Sequence, residues 1–229
     1  MQQLPLGVRW RDTSAFATFV HGANTLVVRS LESQSATAAP VTWLWGSAGS
    51  GKSHLLQAAC ALAGERGQRA AYFPMRERAG WPDDAFAGCE ELAIVCVDDA
   101  DAIAGEPRWN RALFNLHNGL LEQRGRMLLS AAQPPAAIGW ALPDLASRMA
   151  ASLVLHLAPL AESDQIEVLR LRAKRRGLEL PEDVAQYLLR RVPRDLRSLC
   201  ALLDTLDAAS LAKQRRLTVP FIRQILGSG

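Results

Sequence analysis

The sequence predicts a three-layer α/β domain followed by a small all-helical domain, and three observations carry that prediction. Short apolar runs rich in β-branched and aromatic residues recur at Val41 to Trp45, Ala70 to Phe73, Leu92 to Val97, Met127 to Ser130 and Leu153 to Leu157. Stretches of helical spacing separate them, the alternation that builds a parallel sheet. The run Leu92-Ala93-Ile94-Val95-Cys96-Val97 is continuously apolar, as a strand covered on both faces must be. From Ser163 onward the strand-like runs stop and helical punctuation takes over.

Taken in order, Arg29 to Pro40 is rich in Ser, Ala and Thr and reads as a loop ahead of the first core strand, Val41 to Trp45. His54 to Ala63 has helical spacing. In the last third Ser163 reads as an N-cap and Gly177 as a C-cap, while Pro181 and Pro193 open the next two helices and Pro220 a final short one. The domain boundary falls near Pro159 to Ser163. This divides the chain into an N-terminal segment (1–8), an α/β domain (9–160) and a helical domain (161–229).

At 229 residues, with 49% hydrophobic and 21% charged residues, the chain can bury a full core, which excludes a disordered or collagen-like polymer. No apolar run has the length of a membrane span, and Met1 to Pro5 lacks the basic and apolar blocks of a signal peptide, so a cytoplasmic protein is expected. Cys60, Cys89, Cys96 and Cys200 are scattered and form no CxxC, which fits a reducing compartment. His21, His54, His117 and His156 have no metal-ligand spacing. Trp10, Trp43, Trp45, Trp81, Trp109 and Trp140 are assigned to packing. The net charge of +3 is unevenly spread: residues 166–229 hold 13 Lys or Arg against 7 acids. That end presents either a solvated helical face or a surface for phosphate or an acidic partner.

One motif dominates. Gly46-Ser47-Ala48-Gly49-Ser50-Gly51-Lys52-Ser53 matches G-x-x-x-x-G-K-[ST] between a strand and a helix. Gly46, Gly49, Ser50 and Gly51 let the backbone curl so that N–H groups point into a concavity at a helix N-terminus, which suits the phosphates of ATP or ADP. Lys52 is placed to bridge the β and γ phosphates and Ser53 to ligate Mg²⁺. A second acid at the end of a neighbouring strand must hold the metal's water shell, and Val97-Asp98-Asp99 supplies it. Asp98 is the metal-side candidate and Asp99 the water-orienting one, with Asp101 a cap or surface acid.

In this order of parts the chain resembles AAA+ modules, and in finer text the DnaA initiators. Gly51-Lys52-Ser53-His54-Leu55-Leu56-Gln57-Ala58 and Phe16-Ala17-Thr18-Phe19-Val20-His21-Gly22-Ala23-Asn24 are similar to DnaA. Leu142-Pro143-Asp144-Leu145-Ala146-Ser147-Arg148 and Leu217-Thr218-Val219-Pro220-Phe221-Ile222 resemble the Hda family, DnaA homologues that regulate initiation. The resemblance implies an AAA+ P-loop fold whose parallel sheet is sandwiched by helices, with a helical lid. It implies DnaA as partner, and the DNA polymerase sliding clamp (β subunit) as a second, docked by Gln3-Leu4-Pro5-Leu6. Arg148 matches the family's arginine finger, offered in trans to a neighbour's γ-phosphate, and Arg194 the lid arginine called sensor 2. The DnaA helix-turn-helix does not follow the lid here, so no sequence-specific DNA binding and no membrane association are expected; a homo-oligomer stays open.

One departure bears on catalysis. In Met127-Leu128-Leu129-Ser130-Ala131-Ala132-Gln133, the polar sensor 1 position is Ala132, with Ser130 as a possible substitute. Weak or absent intrinsic ATPase is expected, and an ADP-bound regulatory state is favoured. Three functions compete: a regulator that triggers hydrolysis of DnaA-bound ATP, an autonomous ATPase acting as helicase loader or remodeller, and a nucleotide kinase. The helical lid argues against the last.

Overall fold

A computed structural model describes residues 15–33, 39–82, 84–191, 196–213 and 217–226. Five strands form one sheet: β1 (Val41–Trp45), β2 (Ala70–Pro74), β3 (Ile94–Asp98), β4 (Arg126–Ala131) and β5 (Leu153–His156). Their order is β2-β3-β4-β1-β5, and every pairing is parallel. The crossovers run through α2 (Lys52–Glu65), α3 (Pro107–Glu122) and α4 (Pro143–Ala150), with α1 (Thr25–Glu32) preceding the sheet. Residues 29–32, read from sequence as loop, close α1 instead. Val28 and Leu31 are fully covered there, so tertiary burial overrides a composition that favours a turn.

The chain divides into two compact units. The first, which holds the sheet, has two cores, one on each sheet face. Trp43, Phe73, Val95, Val97 and Leu129 join Trp109 and Leu113 of α3 on one side. Leu44, Tyr72, Ile94, Cys96 and Leu128 join Leu55, Leu56 and Ala59 of α2 on the other. Alternate strand residues therefore point to opposite, equally apolar sides, the physical reason the strand runs are continuously hydrophobic. Trp43 and Trp109 are buried, Trp45, Trp81 and Trp140 pack beside them, and the Trp43 indole donates to the Gln133 carbonyl at 3.0 Å. Cys60 and Cys96 are buried free thiols. Trp10 lies outside the described residues.

The second unit takes in residues from Ala158 onward with two short upstream pieces, Val20–Ala23 and Ala48–Ser50. It contains α5 (Glu162–Arg175), α6 (Glu182–Arg191), α7 (Leu196–Lys213) and α8 (Val219–Leu226). Leu169 and Ala173, Val184 and Leu188, Leu199 and Leu203, and Phe221 and Ile222 meet in one core. The first helix starts two residues earlier than its Ser163 signal: Ala161 is the N-cap, and Glu162 and Asp164 put acids in the first turn, where the helix dipole favours them. Gly177 ends that helix as the sequence predicts. Its φ of +71° lets its own N–H reach the Lys174 carbonyl (3.0 Å) and the Leu178 N–H reach Ala173 (2.9 Å), the paired bonds of a Schellman stop. Much of the basic excess is used at home: Arg172, Lys174 and Arg175 fill the last turn of α5, Arg170 pairs with Glu182, and Arg176 pairs with Asp204 at 2.5 Å.

Candidate functional site

The P-loop motif leaves β1 and enters α2. Gly49 (φ +76°) and Gly51 (φ +103°) take left-handed backbone that other residues rarely adopt. At Gly51 space as well as torsion forbids a side chain, since a Cβ would stand 2.6 Å from the Phe19 ring. Among the described residues the buried Ser50 hydroxyl has no hydrogen-bond partner, a polar group turned inward with capacity to spare. Lys52 folds back so that Nζ donates to the carbonyls of Gly46 (2.8 Å) and Ser47 (2.9 Å). Burial holds its ammonium below the ordinary lysine range, against the opposing fields of Asp99, Asp98 and Asp101. A cation costly to bury, beside a loop of left-handed glycines, is poised for an anion that can share its charge.

The expected acid pair stands at the end of β3, with one difference. The sequence places it on a strand neighbouring β1, whereas β4 lies between. The carboxylate still shares the α2 face, because Tyr72, Cys96 and Asp98 alternate onto it through the β2–β3 register. The interposed strand supplies Ser130, which is fully buried, donates to Asp98 Oδ1 and accepts the Asp99 amide at 2.9 Å. Tyr72 donates to Asp98 Oδ2 at 2.5 Å. Burial beside Asp98 pushes its pKa far above the tyrosine norm.

Asp99 sits at φ +53°, and its carboxylate meets Arg76 Nε at 2.8 Å. Desolvation raises its pKa above the ordinary value, with Asp98 adding to the rise and Arg76 opposing it. Arg76 is 61% exposed and so screened by water, which explains why burial wins. The ionised carboxylate thus destabilises the fold above its raised pKa, and that penalty fades as pH falls through the raised value and is gone below the unfolded one. Asp99→Asn, which also suits the left-handed backbone, is expected to raise the thermal midpoint at pH 7, with the gain vanishing below about pH 4; scanning calorimetry across pH checks this. Asp101 stands in the first turn after Asp99, and among the described residues its buried Oδ1 has no hydrogen-bond partner.

Arg148 lies on α4, whose Leu145 and Met149 anchor the helix in the core. Pro143 at the first helical position sets the start. The half-buried guanidinium rests over the Phe114 ring at 4.7 Å, and no carboxylate among the described residues pairs with it. Nearby His117 is held below the usual histidine range by burial, with Arg148 adding to the effect.

Gln3, Leu4, Pro5, Leu6 and Arg194 lie outside the described residues. Of the remaining candidates, Lys52, Ser53, Asp98 and Asp99 are brought together in the first unit, and Arg148 stands on its own helix. Sequence reasoning missed Tyr72, Arg76 and Phe114. Tyr72 had one signal, an aromatic with a polar tip in a strand otherwise made of apolar side chains; Arg76 and Phe114 had none.

Residues 162–226 match the family model described as Hda, lid domain. That match places an Hda lid domain in the helical unit. The fold of the chain is similar to domain III of the Thermotoga maritima replication initiation protein DnaA, at TM-score 0.83 and 20% identity over 95% of this chain and 97% of that one. AMPPCP-bound DnaA from Aquifex aeolicus follows, at TM-score 0.71 and 20% identity, over 86% of this chain and 66% of that one. The Aeropyrum pernix ORC2 protein, in ADPNP–ADP complexes, is similar at TM-score 0.60 and 18% identity, over 84% and 62%. With the lid domain identified, the helical unit stands as its carrier: α5 to α8 all fall within the matched segment. Among the described residues no helix is long and apolar enough to cross a membrane.

Proposed function

We propose that this chain is a nucleotide-bound regulator of DNA replication initiation which, held on the sliding clamp, stimulates hydrolysis of ATP bound to DnaA and so inactivates the initiator and prevents re-initiation. The observation that carries this reading is an Hda lid domain on a DnaA-like fold. The chemistry would come from Arg148. Its guanidinium rests on an aromatic shelf, and among the described residues no carboxylate pairs with it, as suits a cation offered to another subunit's phosphate.

The P-loop would hold ADP or ATP through the backbone of Gly46, Gly49 and Gly51, the Ser50 hydroxyl and Lys52. DnaA relatives of the same fold are bound to AMPPCP. Ser53 and Asp98 offer the hard oxygen donors that Mg²⁺ prefers, so a magnesium nucleotide fits the donor set. When bound, the cation neutralises phosphate charge.

The Ala132 methyl group supports regulation over turnover. Its backbone N–H meets Asp101 at 3.4 Å, but its side chain has nothing with which to orient a water. Ser130, the possible substitute, is spent on Asp98 and the Asp99 amide. Measured ATPase should therefore be slow for the protein alone and rise steeply only when ATP-loaded DnaA and DNA-loaded clamp are both present. Rapid turnover in isolation would instead favour the loader or remodeller.

Docking on the clamp is assigned to Gln3-Leu4-Pro5-Leu6. Removal of residues 1–7 is expected to abolish clamp binding in gel filtration while the far-ultraviolet circular dichroism and thermal midpoint stay at wild-type values. Comigration of the truncated protein with clamp would move the docking site elsewhere.

A further inference from the structure

The basic excess of the helical unit, 13 Lys or Arg against 7 acids over residues 166–229, is not all used internally. Arg170 pairs with Glu182, and Arg176 with Asp204 and Asp207. Two other arginines meet on one aromatic ring instead. Arg191, in the last turn of α6, stands one turn beyond Tyr187; its Nε donates to the Tyr187 hydroxyl at 3.1 Å, and its guanidinium carbon is 5.8 Å from the ring centroid. Arg223 of α8 reaches the same ring from the neighbouring helix, at 5.5 Å. Both arginines are exposed.

Among the described residues no carboxylate pairs with either guanidinium. The segment forming α8 contains no acid, and the acids of α6, Glu182 and Asp183, stand in its first turn, at the other end of the helix from Arg191. Two like charges are therefore held together on one ring with nothing nearby to neutralise them. The Arg191 hydrogen bond, with Arg223 adding to it and desolvation opposing, holds Tyr187 below the ordinary tyrosine range. Arg191 gives one N–H to Tyr187 and keeps the rest of its fork for an acceptor outside the chain.

We propose that Arg191 and Arg223, set on Tyr187, are a contact for the phosphate backbone of DNA, made without regard to base sequence. A planar guanidinium meets phosphate bidentately, and one already stacked on a ring gives up less freedom when it does so. Phosphates repeat along a strand, so two cations on adjacent helices can engage two of them in any register and release their counterions. An acidic protein surface offers no such repeat. A chain held on a DNA-loaded clamp has that backbone within reach; the contact goes beyond that reading, and its test uses neither clamp nor DnaA.

The test is fluorescence anisotropy of a labelled mixed-sequence DNA, as duplex and as single strand, from about 50 to about 200 mM salt. Wild type is compared with Arg191→Gln/Arg223→Gln and with a Lys174→Gln/Arg175→Gln control. The control removes the same charge from exposed positions in the last turn of α5, which residues 176–181 join to the start of α6 and so to the end away from Arg191. Wild-type binding should be weak, with a Kd of about 10⁻⁶ to 10⁻⁴ M, and should fall as salt rises. The arginine-pair variant should lose about tenfold or more in the lowest salt and flatten the slope of log K against log salt by about 2 on duplex or about 1.4 on single strand. The DNA form with the larger loss is the source of the backbone. The control should keep the wild-type slope.

A wild type without salt-dependent binding to either form, an arginine-pair variant with an undiminished slope, or a control that flattens the slope equally overturns the proposal. So does displacement of the DNA by polyglutamate at equal charge concentration, which would assign the pair to an acidic protein surface. Far-ultraviolet circular dichroism and the thermal midpoint of the arginine-pair variant should match wild type; unfolding would assign both arginines to the fold and overturn the proposal too. None of these outcomes touches the stimulation of DnaA-bound ATP hydrolysis, which is measured separately with DNA-loaded clamp.

Discussion

Arg148→Ala is expected to leave folding, ADP binding and clamp binding at wild-type levels while removing the stimulation of ATP hydrolysis on DnaA. A guanidinium supplied in trans acts on charge developing on the transferred phosphoryl group, and such a contribution is worth roughly 10³ to 10⁵ in rate. The variant should fold because Leu145 and Met149 carry the packing of α4, while the Arg148 guanidinium rests over the Phe114 ring. Lysine should rescue little, since a compact ammonium cannot reproduce the planar fork or its stacking on an aromatic face. Phe114→Leu keeps the apolar volume but removes the ring that aims the guanidinium, and should lower stimulation without abolishing it. Single-turnover hydrolysis of labelled ATP on DnaA, with DNA-loaded clamp present, distinguishes all four proteins. Undiminished stimulation by the alanine variant would rule out Arg148 as the acting cation and favour the remodeller.

The second large effect is on the pocket. Lys52→Ala should weaken ADP binding by about 10²-fold or more, because it removes a charged donor that no neighbour can replace. Two consequences separate lost charge from lost structure. The ammonium now spends its hydrogen bonds on the Gly46 and Ser47 carbonyls, so the variant also loosens the loop. Stability need not fall in proportion, since burying that cation is itself unfavourable and holds its pKa down. Equilibrium binding of labelled ADP alongside a thermal melt checks both. Equal ADP retention by wild type and variant, with both folded, would remove the phosphate role from this loop.

Much of this was legible in the sequence because it depended on neighbours along the chain. The strand positions followed from continuous apolar runs, which for β1, β3 and β4 reflect cover on both faces, while β5 leaves Leu153 and Val154 39% exposed. The P-loop was readable because its glycines, lysine and serine act within one strand–loop–helix segment, and Gly177 because a helix stop is chosen by its own left-handed residue. The α1 residues 29–32 were missed for the converse reason: their composition favours a turn, and only packing of Val28 and Leu31 against the sheet unit makes them helical.

What only tertiary structure decided is which groups face Asp98. Tyr72 is 26 residues away in sequence and Ser130 is 32, and nothing in local spacing places either on its carboxylate. Their meeting follows from the strand order, which sets β3 between β2 and β4 and so brings three alternation patterns onto one sheet face. The same holds for the Phe114 shelf under Arg148, which needs α3 and α4 side by side. Sequence determines the period of each element and the chemistry of each motif; register and strand order, fixed by the burial of the whole sheet, determine which of those side chains share a hydrogen bond.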